Sequence, residues 1–516
     1  MNAKFFTRRL SQILALVMIL CCLTACGGSS TGSSAGAPAA QKDTLTVVAD
    51  SDVGSMSPLG NSVAFTYMQD QVYETLYCFG YNMQETPKLA KSWDKVDDTH
   101  YTFHLREGLK DSAGNPITAS DVIFSMELYS QDASYSQYVS HIDFEKTVAT
   151  DDVTLDVYFA DTNAFAFSQL AGVRVVTKAA WEASADQMVT TPVGSGPYKL
   201  KEYVSGSYFS LELNPNYVGD ATPSFKEIRF NIVSEPSQRT TQLETGAADI
   251  VMNLQSSDVK YIGDKDAFTV DSHVGTQSMT MFFNHTANSV MSSKEMRQGV
   301  CYAIDNQAMN VAAYGGYCAP STAFFSTAMT DYTDSMAEEI YTTSSMEKAS
   351  ALFEASGKKG GTIRIATDGS TQETTIAEVL QSTLMQEGFD VKIDSYDPAT
   401  IWSVGTDPTQ WDLLLMSCAA PSGNGLDEMT ALLGFVNFSK WEGPGYDEAL
   451  SLMTQASNTV NVEERLELTR QALHIVEDEV PAYAIVQIAQ HYAFRSDLNF
   501  QVWDQASLYC ADLKFA

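Results

Sequence analysis

The residues that most constrain this chain are Leu23-Thr24-Ala25-Cys26. They close a segment that opens with Lys4, Arg8 and Arg9 and continues as an apolar run of 11 residues, 13–23. A basic front, an apolar stretch and small residues before a cysteine predict a secretory signal ending in a lipoprotein cleavage site. Cys26 then becomes the first residue and its thiol takes a diacylglycerol, whose two chains suffice for stable anchoring where one does not. The alternative, a transmembrane anchor, needs about 20 apolar residues, more than this run offers. Residues 27–41 (GGSSTGSSAGAPAAQ) lack periodicity and large apolar side chains. They read as a flexible tether with a reach of about 20 Å. The remainder is expected to be an exported body at the outer face of the bacterial cytoplasmic membrane.

That body is too long for a single core in a chain of 516 residues, so two or three domains are expected. The formal charge of -33 includes the three cations of the signal, so the exported part is more acidic still. Such a surface repels nucleic-acid phosphates and anionic membrane faces, and no nucleic-acid partner is expected. Cys21 and Cys22 leave with the signal. Of the other cysteines, Cys78, Cys301, Cys318, Cys418 and Cys510 remain beside Cys26. Five cannot all pair internally. Cys301 with Cys318 is the closest-spaced option, and scattered thiols in a long chain are more often buried apolar residues.

Residues 44–49 (TLTVVA) read as a strand, and 65–77 as a helix through Phe65, Met68, Val72 and Leu76. Tyr101, Phe103 and Leu105 alternate along another strand. Thr118 or Asp121 can cap the helix that follows. Gly194-Ser195-Gly196-Pro197 marks a turn before the strand that starts at Tyr198. A helix is predicted over 296–309 and a second over 346–355, stopped by Gly357. A strand follows at 362–366, a helix at 374–386, a strand at 391–393, a buried strand at 411–416 and a long helix at 463–476. Alternation of this kind predicts an α/β lobe.

Several stretches then carry a resemblance. Leu89-Ala90-Lys91-Ser92-Trp93 precedes Tyr101-Thr102-Phe103-His104-Leu105-Arg106-Glu107-Gly108, and Asp111 to Val122 follows with Gly114, Pro116, Ile117, Thr118 and Ala119 in place. Later come Pro192-Val193-Gly194-Ser195-Gly196-Pro197-Tyr198, Asn214-Pro215-Asn216-Tyr217, Glu244-Thr245-Gly246-Ala247-Ala248-Asp249, Phe283-Asn284, Arg297 to Asp305 and Glu479-Val480-Pro481-Ala482-Tyr483. In this order the chain resembles the extracytoplasmic solute-binding proteins of family 5, the peptide and nickel receptors of ABC importers. The resemblance implies a two-lobed α/β fold of the periplasmic-binding-protein type (class II) with an extra subdomain in lobe I. Lobe I would comprise 44–70, 191–272 and 486–516, the inserted subdomain 71–190, and lobe II 273–485. The chain would cross between lobes near His273 and Ile485, and the lobes would close on solute by a hinge motion. Partners would be a small solute, permease and ATPase subunits and the membrane through the lipid, with the protein itself a monomer.

The family places key ligand contacts after the strand matching Leu413-Leu414-Leu415-Met416. Peptide-binding members carry a Trp there and then an acid for the peptide's amino group. The Trp position looks like Ser417 or Cys418, the acid position like Ala420 or Pro421, which leaves Asp427 as the nearby acid that could reach in. Further cleft candidates are Met56, Ser57, Tyr67, Gln277, Met279 and Tyr483. A short peptide is the expected solute, with a nickel or other metal chelate as the alternative and a ligand-presenting sensor as the alternative of another class. No enzyme is expected. HExxH, GxSxG and P-loop patterns are absent from the sequence, His100 and His104 lie on a predicted strand rather than a helix face, and neither a cofactor nor a protein-held metal is implied.

Overall fold

Two long strands, Phe268–Phe283 and Ala482–Arg495, set the architecture. The computed structural model describes residues 42–59, 63–80, 84–132, 134–337, 340–398, 400–419, 423–501 and 508–516. At 16 and 14 residues the two strands far exceed the usual five or six. They pair antiparallel from Phe268↔Arg495 to Phe282↔Ala482, with a register shift between Val274 and Ser278. Residues 275–277 therefore interrupt the ladder midway, and each long strand serves two sheet halves.

One half continues through Ile250–Val251, Thr44–Ala49, Glu227–Ile232, Tyr208–Leu213 and Tyr198–Val204. The other continues through Leu413–Cys418, Thr362–Thr367 and Asp390–Ser395. This is the two-lobed α/β fold expected from the sequence. In Leu413–Cys418, Leu413 and Leu415 join one core cluster while Leu414, Met416 and Cys418 join another. Period-two alternation buries both faces because helices cover both sides, which explains a continuous apolar run. Thr44–Ala49 is buried along almost its whole length for the same reason.

A separate four-stranded antiparallel sheet is formed by Ala90–Asp97, His100–Leu105, Thr154–Tyr158 and Val148–Asp151. Its core includes Phe103, Leu105, Leu155 and Val157 with Val122 and Met126 of the helix Ala119–Ser130. Thr118 caps that helix, with its N–H donating to Asp121 Oδ2 at 2.9 Å. Cys301, Cys318, Cys418 and Cys510 are buried thiols and Cys78 is half-buried, as expected of scattered cysteines.

Several local expectations are corrected. The helix predicted over 65–77 is Val63–Val72, and Tyr77–Phe79 is a strand. Gly194 and Gly196 cause the stop: each presses bare backbone on the helix end, where a Cβ would collide with the carbonyls of Val72 and Gln71, and Gly196 N–H donates to Val72 O at 2.8 Å. These glycines thus serve close packing as much as turning. The helix predicted over 296–309 is two, Lys294–Ala303 and Asn306–Tyr314. Ile304 between them is extended and Asp305 caps the second, its Oδ1 accepting from Ala308 N at 3.0 Å. Trp411 precedes its strand and is buried, donating through Nε1 to Val404 O at 3.1 Å. The helix Met346–Ala355 has its predicted bounds, with Gly357 left-handed behind it.

Candidate functional site

The parallel strands of both halves end at the interruption. Ile250–Val251 runs toward the level of His491, whose carbonyl accepts from Leu254 N at 2.8 Å. In the other half Cys418, the last residue of its strand, pairs with Ser278 just past 275–277. Carboxyl ends of parallel strands are where open α/β sheets hold ligands, so two such rims meet here.

On the first rim Asn253 adopts a left-handed backbone with φ 50°. Its Nδ2 donates to Asp50 Oδ2 at 3.2 Å and to the Tyr67 hydroxyl at 3.3 Å. Burial, with Asp50 adding to it, pushes the Tyr67 phenol up to about 12. Met56 is fully buried, and its carbonyl accepts from Tyr73 Oη at 2.9 Å. Ser57 is half-buried in a turn in which its Oγ accepts from Leu59 N.

Gln277 lies within the interruption and is half-buried. Met279 and Tyr483 are buried in one core cluster, where Tyr483 meets Tyr341 edge-on at 5.9 Å. Cys418 is buried too, its thiol raised by burial and by the carboxyls of Glu428 and Glu373. Such a thiol is inert. Asp427 is half-buried on the short helix Gly425–Met429, and its charge reaches the Tyr138 hydroxyl from the four-stranded region. Cys26, Ala420 and Pro421 lie outside the described residues.

The structure adds what the sequence reading missed. A cavity of about 710 Å³ opens between the four-stranded region and the second sheet half. One wall is aromatic, with Phe79, Tyr101, Phe159 and Phe167; the opposite wall holds Thr330, Asp331, Asn424, Val462, Arg465 and Leu466. Phe167 is braced by stacking on Tyr77 at 4.7 Å and Tyr101 at 4.6 Å. The strap 163–165 joins the walls: Ala164 N–H donates to Ser457 O at 2.8 Å, and Phe165 is buried in the same cluster as Trp411, Leu414 and Trp441. Behind the second wall, Asp331 accepts from Gly425 N and Leu426 N at 2.7 and 2.9 Å. Glu428 and Glu373 are buried, and burial pushes each carboxyl up to about 8. Asp368 N–H donates to Glu373 at 2.7 Å. No sequence signal marks either residue: in a chain with 64 acidic residues they look like surface carboxylates. Among the described residues no group of three His, Cys, Asp or Glu is placed to hold a metal ion.

Residues 84–440 match bacterial extracellular solute-binding proteins, family 5 Middle. The chain belongs to this family. It is therefore a transport binding protein that works outside the cytoplasm, and not an enzyme. Di/tripeptide-binding protein 1 of Pseudomonas aeruginosa is 24% identical over 461 residues, covering 80% of this chain and 82% of that protein. Nickel-binding protein NikA of Staphylococcus aureus is also 24% identical, over 427 residues, covering 80% and 83%. The crystal structure of the ABC transporter substrate-binding protein CtaP from Listeria monocytogenes superposes with a TM-score of 0.81 at 22% identity, covering 92% of this chain and 99% of that one. Among the described residues no helix is long and apolar enough to cross a membrane.

Proposed function

We propose that this chain is the lipid-anchored receptor of an ABC importer and captures a short peptide between its lobes. The observation that carries the reading is the cavity of about 710 Å³, whose walls come from both sides of the strap 163–165. Its volume suits a ligand of a few residues, and its mixture of aromatic wall and sparse charge suits varied side chains with a polar backbone. The di/tripeptide-binding relative supports a peptide. In this reading 44–70, 191–272 and 486–516 form lobe I, 71–190 the inserted subdomain and 273–485 lobe II. Met56, Ser57, Tyr67, Gln277, Met279, Cys418, Ala420, Pro421, Asp427 and Tyr483 belong to or support the cleft. Cys26 tethers a monomer beside its permease and ATPase subunits.

A metal chelate is the second reading, favoured by the nickel-binding relative of equal identity. Calorimetric titration with a pool of di- and tripeptides, beside Ni(II) with histidine, separates the two. Micromolar binding of peptides is expected; binding of the nickel chelate alone would remove the peptide. Cys26→Ala should release the protein from the membrane fraction with its solute binding unchanged, and lost binding would break the separation of tether from cleft.

A further inference from the structure

Most of the charges and amides that line the cavity already have partners within the protein. Asp331 accepts its two backbone N–H groups, and Asn424 Nδ2 donates to Thr330 Oγ1 at 3.3 Å. Asn163 Oδ1 accepts from Phe165 N at 2.8 Å, and Lys95 pairs with Asp98 at 2.8 Å. Arg465 Nη1 donates to the carbonyls of Thr459 and Val460 at 3.1 and 3.2 Å, and its charge acts on Asp331. Its Nε is unmet among the described residues. Gln84 and Glu85 are exposed to solvent. Polar recognition therefore uses few of the lining groups.

The apolar lining groups are the reverse. Val462 is 55% exposed although it lines the cavity. It opens the helix Val462–Glu479, with Glu463 and Glu464 behind it, and a β-branched residue gains nothing in an exposed first turn. Leu466, four residues on, shares its face and is half-buried. Tyr101 and Phe167 on the aromatic wall are half-buried as well. Their rings stack at 4.6 Å and 26°. Behind them the fully buried Tyr77 stacks on Phe167 at 4.7 Å and 15° and donates from its hydroxyl to Phe167 O. Rings backed in this way are in place before a solute arrives, which lowers the cost of binding. Leu466 packs on one core cluster, Tyr101 and Phe167 on another. Two apolar surfaces from separate parts of the fold thus stand opposite one another across open space.

The surroundings select the group that fills this space. Lys95 already lies over the Tyr101 ring, 6.0 Å from its centroid, so a second cation there is repelled. Three lining carboxylates, Glu85, Asp98 and Asp331, outnumber the lining cations Lys95 and Arg465, which disfavours an anion. A ring makes edge-on or offset contacts with Tyr101 and Phe167 that an aliphatic chain of equal area does not. We propose that an aromatic side chain of the solute seats between Tyr101 and Phe167 on one wall and Val462 and Leu466 on the other. This rests on the reading that the cavity holds a short peptide, and it narrows that reading at one position of the peptide while the others stay permissive.

Calorimetric titration of the full-length protein with trialanine, its three single-phenylalanine variants and their leucine counterparts tests this. Phenylalanine at one position should bind at least about tenfold more tightly than alanine there, and about threefold or more above leucine. Val462→Asp, a change at an exposed position, should bring the favoured peptide to the level of trialanine. Tyr101→Leu, which keeps apolar volume and deletes the ring, should bring phenylalanine down to leucine. Equal affinity for the alanine, leucine and phenylalanine peptides overturns the inference and keeps the peptide reading. A phenylalanine preference that survives both substitutions overturns it as well. If no tripeptide binds, the peptide reading falls and indole decides the subsite: saturable binding weakened by Val462→Asp keeps it, and no binding at high millimolar concentration overturns it.

Discussion

The rim at the end of Thr44–Ala49 and the rim at the end of Leu413–Cys418 meet at residues 275–277, yet their polar groups are paired differently. On the first, Asn253 ties Asp50 to Tyr67 and Arg239 Nη2 donates to Asn253 O at 3.1 Å, with Arg239 Nε left unmet among the described residues. On the second, Glu428, Ser278 and Gln487 retain unmet atoms. The contrast holds within one lobe as well. Asp412 is as deeply buried as these residues, but it accepts from Ser289 Oγ at 2.7 Å, Arg364 Nε at 2.9 Å and Arg364 N at 3.0 Å. A satisfied buried carboxylate fastens the fold; an unsatisfied one weakens it. Burial alone therefore does not tell Asp412 and Glu428 apart, whereas their pairing does.

The sharpest way to break this contrast is to remove the two carboxylates in turn. Asp412→Ala takes away the carboxylate shared by Arg364 Nε, Arg364 N and Ser289, leaving the guanidinium only the carbonyls of Thr409 and Trp411, and should cost about 3 kcal/mol in urea unfolding. Glu428→Gln should cost nothing or stabilise the empty protein slightly. Equal losses would sink the distinction. Gly196→Ala forces a methyl against the Gln71 carbonyl at the end of Val63–Val72, and about 2–3 kcal/mol is expected from overpacking.

A pH series sharpens the comparison further. The folded-state value of Glu428 is raised to about 8 from an ordinary 4.5. Between those values the folded protein holds a proton that the unfolded chain has lost. Stability attributable to this group is thus complete below about pH 4.5 and declines as pH rises toward 8, at no more than about 1.4 kcal/mol per unit. Glu428→Gln should flatten that slope in denaturation curves taken at successive pH values, and an unchanged slope would assign it to other groups. Tyr67→Phe is the smallest change: it deletes one hydroxyl contact with Asn253 on the paired rim, for about 1 kcal/mol by thermal unfolding.

What could be read in advance follows from range. The strand Thr44–Ala49 and the helix Met346–Ala355 were legible because β-branched residues and a trailing glycine act locally. The family was legible through motifs spread along the chain. The break at Ile304 was not, because apolar periodicity continues through it while Asp305 restarts the helix with its own side chain. At the candidate site, Met56 follows the first strand, Met279 and Tyr483 lie near the expected lobe crossings and Cys418 occupies the family's Trp position, and the fold packs all four into cores. Glu428 escaped notice because lacking a partner is a tertiary property. Residues far apart in sequence, Ser278, Cys418 and Gln487, acquire a shared face only once three strands are in register.

The strap 163–165 has a consequence in time. Phe165 reaches from the four-stranded region into a cluster with Trp411 and Trp441, so parting the walls of the cavity strips an aromatic ring of its surroundings. That exposure costs about 2–3 kcal/mol, equivalent to roughly a hundredfold in a rate. Any motion that parts these walls therefore carries the cost of unseating this one side chain.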